Sequence, residues 1–283
     1  MQDLKLGIPS SGIEYLNLTS KQNRFEEYLK TKVFLYNTFE RNLASFAPDL
    51  VGDHMEIQFI NYGDTKLVYV FTSNNKNYAV LVGQPSIQFG VVKEEFDNLN
   101  KLALQNPEVI VKPHYYISNE NREMYIAPYY FQARCIASQN NGWGLFIPEP
   151  YYRFALFSEE EKHLVNICII ANLIKLYNEE ENLGLASCKI GGGDFILEKN
   201  WNVDAKTIDN TLQKMKLIAA RKLINIPLNQ YIELLKKEFL LNTYYKNIEE
   251  RDPSILINHK ASVPMDKDDI EKGVQLGLKL RNK

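Results

Sequence analysis

The chain has 283 residues, 45% hydrophobic and 24% charged, with a net charge of −2. That length suits one large domain or two small lobes. The near-neutral charge argues against a surface built mainly to hold nucleic acid or anionic lipid, and no apolar run reaches the ~20 residues of a membrane-spanning helix.

The first residues lack the charged start and apolar core of a signal peptide. Three cysteines, Cys135, Cys168 and Cys188, are far apart and form no CxxC pair, so neither a disulfide framework nor a zinc site is suggested. The expected compartment is the cytoplasm.

In chain order, Phe25, Leu29, Val33, Tyr36, Leu43 and Phe46 recur at helical steps, which predicts a helix from Ser20 to Phe46 ended by Pro48. The period then shortens. Met55–Ile60, Lys66–Thr72 and Asn77–Val82 read as strands of an antiparallel meander, with SNNKN as a turn. Val91 to Pro107 returns to helical spacing, with Phe96, Leu99, Leu102 and Ala103 as its apolar stripe. Two further strands, Val109–Ile117 and Glu123–Phe131, flank the polar turn SNENR, and 137–152 reads as loop.

Ser158 to Gly184 is the most apolar helix, opened by a Ser158/Glu161 capping box and stopped by Gly184. The stretch SCKIGGGDFILEKNWNVDAKTID follows, reading as a Gly-rich segment and two short strands. Helices are then expected over Leu212–Ile224 and Asn229–Asn247, with a charged helix at the end.

This order of elements resembles the protein-kinase-like superfamily over about Glu56–Leu241. The resemblance implies an α+β, bilobal protein-kinase-like fold. A small antiparallel β-sheet lobe with one helix would span 53–135 and a mainly helical lobe 136–283, preceded by an N-terminal helix in 1–52.

Laid on the family's H-R-D-x-x-x-x-N segment, SCKIGGGD puts Asp194 where the metal-binding Asn stands, and Asp209 falls at the D of D-F-G. Two oxygen ligands at adjacent strand ends can share a divalent ion that bridges nucleotide phosphates. Lys189 occupies the catalytic-Asp position, Ser187 and Cys188 replace His and Arg, and Asn210 and Thr211 replace Phe and Gly. A charged lysine does not accept the substrate hydroxyl proton.

In the first half, YGDTKLVYV places Gly63 in the phosphate-covering loop, and YAVLV places Leu81 where the phosphate-pairing lysine belongs. Lys66 and Lys76 read as solvated surface lysines that could reach in from neighbouring strands. Glu95 resembles the helix glutamate that pairs with that lysine, and without a lysine it reads as an exposed helix residue. MYIAPYY resembles the strand leading to the hinge, with Tyr129 near the adenine edge and Pro128 near the pocket.

The resemblance thus implies a pseudokinase-type regulatory or interaction module that binds ATP with Mg²⁺ or Mn²⁺ at the lobe interface and contacts a protein partner, with no nucleic acid or membrane. Two alternatives stay open: an atypical ATP-dependent phosphotransferase and an unrelated α+β binding protein. The bland reading of the central stretch is a Gly-rich loop before a hairpin, with Asp194 capping and Asp209 exposed. His54, His114, His163 and His259 have no metal-ligand spacing among them. His163 reads as a structural helix residue and Cys168 as core.

Overall fold

Residues 5–7, 22–62, 66–84, 87–119, 122–130, 134–135, 153–154, 158–186, 195–202, 206–239 and 265–282 are described in the computed structural model. The first elements are β1 (Lys5–Gly7), α1 (Gln22–Phe46), β2 (Met55–Tyr62), β3 (Lys66–Ser73) and β4 (Lys76–Gly83). Then come α2 (Val91–Gln105), β5 (Tyr115–Asn119) and β6 (Arg122–Pro128).

β2 to β6 form a five-stranded antiparallel sheet in the order β2-β3-β4-β6-β5, and β1 adds in parallel at the β2 edge. The β3–β4 turn is set by Asn74 and Asn75, which take φ of 49° and 59°. A tight hairpin with the native twist needs left-handed residues there, and Asn tolerates that region better than most side chains.

Period-two alternation splits β3 between two faces. Leu67, Tyr69 and Phe71 are buried on one side, where the Phe39 ring of α1 lies 4.8 Å from that of Phe71. Arg122 Nη1 donates to Thr31 Oγ1 of α1 at 2.6 Å. On the other side α2 packs through Phe96, whose ring lies 5.6 Å from Tyr116 and 6.2 Å from Tyr125. The helix expected as an N-terminal extension therefore shares a core with the sheet.

The chain divides into two compact units. Among the described residues, the first holds α1, β1 to β6 and α2 as far as Asp97, and the second begins at Asn98 in α2. The second unit continues with β7 (Arg134–Cys135), β8 (Arg153–Phe154), α3 (Glu159–Lys175), β9 (Leu183–Leu185) and β10 (Phe195–Leu197). It ends with α4 (Ile208–Lys214), β11 (Met215–Leu217), β12 (Leu223–Asn225), α5 (Leu228–Phe239) and α6 (Lys267–Arg281).

The capping box forms as the sequence indicates: Glu161 N donates to Ser158 Oγ at 3.3 Å, and Ser158 N donates to Glu161 Oε2 at 2.8 Å. Every residue from Val165 to Ile174 is buried, so this stretch of α3 is enclosed on all sides. It runs parallel to α6. Asp269 meets His163 and Asn166, Gly273 meets Ile167 and Ile170, Gly277 meets Ala171 and Ile174, and Arg281 Nη1 donates to Ile174 O at 2.9 Å. The two glycines let the backbones approach closely, and Arg281 Nη1 also donates to Tyr177 O just beyond the end of α3.

Two expectations are corrected. α3 stops at Lys175, not Gly184; Gly184 lies in β9, where a Cβ would come 2.6 Å from the Tyr231 ring. The helix expected over Leu212–Ile224 is instead the end of α4 followed by β11 and β12, because Met215 and Leu217 pair with Leu197 and Phe195 in the core. Among the described residues no helix is long and apolar enough to cross a membrane.

Candidate functional site

The first unit buries a charge pair. Lys66 on β3 forms an ion pair with Glu95 on α2, with side-chain exposures of 9% and 2%. The Tyr125 hydroxyl of β6 donates to Glu95 Oε1 at 2.6 Å, and Lys66 Nζ stands 3.4 Å from that hydroxyl. The ammonium also lies 5.5 Å from the centre of the Tyr125 ring. One carboxylate thus receives an ammonium and a phenol in a site with little water, where charge-assisted bonds are strong and an unpaired partner would be costly.

Strand register explains why Lys66 points here. Val68 sits opposite Leu81, and Leu81 opposite Tyr125. Directly paired residues share a face, as do residues two apart along a strand. Lys66 therefore lies on the face of Leu81 and Tyr125, the side that α2 covers. The expectation of a solvated Lys66 and an exposed Glu95 is overturned: both are buried. Lys76, by contrast, is exposed at the β3–β4 turn. Tyr125 was missed. Its signal is the alternation of β6, which sets a hydroxyl beside a helix glutamate.

A second buried carboxylate, Glu123, accepts from Gly90 N at 2.7 Å and from the Tyr116 hydroxyl at 2.5 Å. Burial, then the bond to Glu123, pushes the Tyr116 phenol up to about 12, so it remains a donor at neutral pH. Tyr129 follows directly on the end of β6 and is half-buried. Gly63, Lys189 and Asp194 lie outside the described residues.

Asp209 does not end a strand. It is exposed in the first turn of α4, whose N-cap Thr207 accepts from Asn210 N at 3.3 Å. A carboxylate there complements the helix dipole. β10 pairs with β7 and, beyond a 3-10 turn (Lys199–Asn202) and α4, with β11, which starts eighteen positions after the last residue of β10. Ile218, Ala219, Ala220 and Arg221 follow β11, so no carboxylate stands directly after it, whereas the sequence reading placed Asp209 at the end of the second strand. Asn98 Nδ2 donates to Ala220 O at 3.0 Å, fixing that backbone to α2 within the second unit.

The described parts of the intervening segment pack against the core. Trp201 is fully buried, and its Nε1 donates to Thr211 Oγ1 at 2.9 Å. Cys168 of α3 lies beneath α4, with Sγ 3.7 Å from Ile208 O. Burial first, then the Asp209 carboxylate, pushes its thiol up to about 12. Almost no thiolate exists at neutral pH, and the thiolate is the nucleophile. Cys168 is therefore expected to resist iodoacetamide at pH 8 in the folded protein and to react in denaturant. Mass-spectrometric mapping that found Cys168 alkylated without denaturant would refute this burial.

The sequence matches no protein-family model and no curated protein.

Proposed function

We propose that the chain is a kinase-like, catalytically silent nucleotide-binding module that acts through a protein partner. The observation that carries this reading is the buried Lys66–Glu95 pair beside an antiparallel five-stranded sheet. In protein kinases a strand lysine held by a helix glutamate meets nucleotide phosphates. Here the lysine comes from β3, one strand away from Leu81, and reaches the same face. In this reading Lys66 supplies the positive charge for an ATP phosphate group, Glu95 holds its ammonium in place, and Tyr129 borders the base.

The silent half of the proposal rests on what stands after β11. Ala219 and Ala220 offer no oxygen ligand from a side chain, and Asp209 is exposed on a separate helix. Lys189 replaces the proton-accepting aspartate of the resembling family. Mg²⁺ or Mn²⁺ would then enter mainly as the counter-ion of the nucleotide, with Asp194 as its protein ligand, and γ-phosphate transfer is expected to be absent.

A thermal-shift titration tests the reading. ATP is expected to raise the Tm of the wild-type protein, by a stabilisation of about 2.7 kcal/mol at a hundredfold excess over Kd. The charge-free Lys66→Met/Glu95→Leu variant should show no shift, and Asp209→Ala should keep the full shift. No response of the wild type at millimolar ATP would remove the nucleotide from the proposal, and radiolabelled phosphate transfer would remove the word silent.

A further inference from the structure

We propose that His163, Asp266 and Asp269 form a binding site for a divalent transition ion of the zinc class, fastening the N-terminal ends of α3 and α6. His163 Nδ1 lies 2.9 and 3.0 Å from the two Asp269 oxygens and 3.5 Å from Asp266 Oδ2. The three donor atoms all fall within 4.8 Å of one another. Tetrahedral ligands on bonds of 2.0–2.1 Å stand about 3.3 Å apart, so a small shift admits an ion among them.

One imidazole nitrogen here faces three carboxylate oxygens. Asn166 Nδ2 already serves Asp269 Oδ2, and the two carboxylates meet at a single imidazole nitrogen. A divalent ion takes all three donors and neutralises both carboxylates. Imidazole with carboxylate oxygens suits zinc, cobalt or manganese better than the all-oxygen preference of magnesium or calcium.

The surroundings hold the donors in place. Asp269 is 2% exposed, and Asn166 Nδ2 donates to its Oδ2 at 3.0 Å. A buried neighbour that orients a ligating carboxylate is the usual support for a metal ligand. Asn166 lies one turn on from His163, and Asp266 and Asp269 lie one turn apart at the start of α6, so each helix presents its contribution on one side. The contacts of Gly273 and Gly277 with α3 fix the helix spacing just beyond. The His163 and Asp266 side chains are 49% and 71% exposed, which leaves an entry path and room for a water as fourth ligand. Binding replaces the proton on Nδ1, which passes to solvent, and involves no change of oxidation state.

The test uses the full chain with metal alone and no nucleotide, so its outcome is separate from that of the ATP proposal. Co²⁺ is expected to give visible d–d absorption saturating at one ion per chain, and Zn²⁺ to compete it away and raise Tm. His163→Ala and Asp266→Asn alter exposed positions and should leave the fold intact while weakening Zn²⁺ about tenfold or more by calorimetry. Asp269→Asn is the less decisive variant because it also disturbs a buried carboxylate. No Co²⁺ spectrum in the wild type, or equal Zn²⁺ affinity in wild type, His163→Ala and Asp266→Asn, overturns the site.

Discussion

Glu95→Ala is expected to cost the protein about 3–5 kcal/mol, because it leaves the Lys66 ammonium buried without its counter-charge. The pair itself need not be a large net stabiliser, since removing two charges from water consumes much of their attraction. The asymmetry gives the test its shape. Glu95→Ala should melt far below wild type, whereas Lys66→Met/Glu95→Leu, which fills the same space with apolar atoms, should recover most of the loss. Denaturant unfolding followed by circular dichroism reads both. A Glu95→Ala variant within about 1 kcal/mol of wild type would match a solvent-exposed pair instead, and the buried arrangement would then be wrong.

Gly277→Leu is expected to be the second severe substitution, at about 3 kcal/mol or more. A Cβ on residue 277 would stand 2.7 Å from Ile174 Cβ and 3.0 Å from Ala171 O; on residue 273 it would stand 2.6 Å from Ile170 Cβ and 2.9 Å from Ile167 O. Backbone oxygen and branched Cβ atoms cannot swing aside, so even Ala forces α6 away from α3. Ala normally gains about 1 kcal/mol over Gly in a helix. Gly277→Ala and Gly273→Ala should nonetheless destabilise, while Gln275→Ala, on the exposed side, should stay within about 0.5 kcal/mol. A Gly277→Ala protein more stable than wild type would show that the helices do not touch there.

The contrast between the two halves shows what sequence pattern can carry. β2, β3, β4 and α2 were legible because each is longer than a full period of its repeat and is bounded by Asn, Pro or Gly-Asp turn residues. The SNNKN turn even names the residues that take positive φ. β11 and β12 were illegible: three residues hold barely one alternation, and the alanines and leucines around them also suit a helix. With that strand unread, Asp209 was expected at a strand end, and it lies instead in the first turn of α4. Lys66 was misread for a different reason. A lysine at the first position of a strand looks like a surface residue until cross-strand register turns it toward a helix glutamate 29 positions away. The His163 cluster was hidden because its donors lie 103 to 106 residues apart in sequence, beyond the reach of any spacing rule.

The parallel pairing of α3 with α6 also sets an order of events during synthesis. The face of α3 that receives Gly273 and Gly277 has no cover from that helix until about a hundred further residues have been made. At the usual pace of a ribosome, about 5–20 residues per second, the most apolar helix in the chain waits roughly 5–20 s for its partner. During that interval its Ile-rich side is an adhesive surface for other nascent chains and a ready target for chaperones. This close contact of the second unit thus becomes available only well after α3 itself has been made, and the yield of folded protein should depend on how well that delay is bridged.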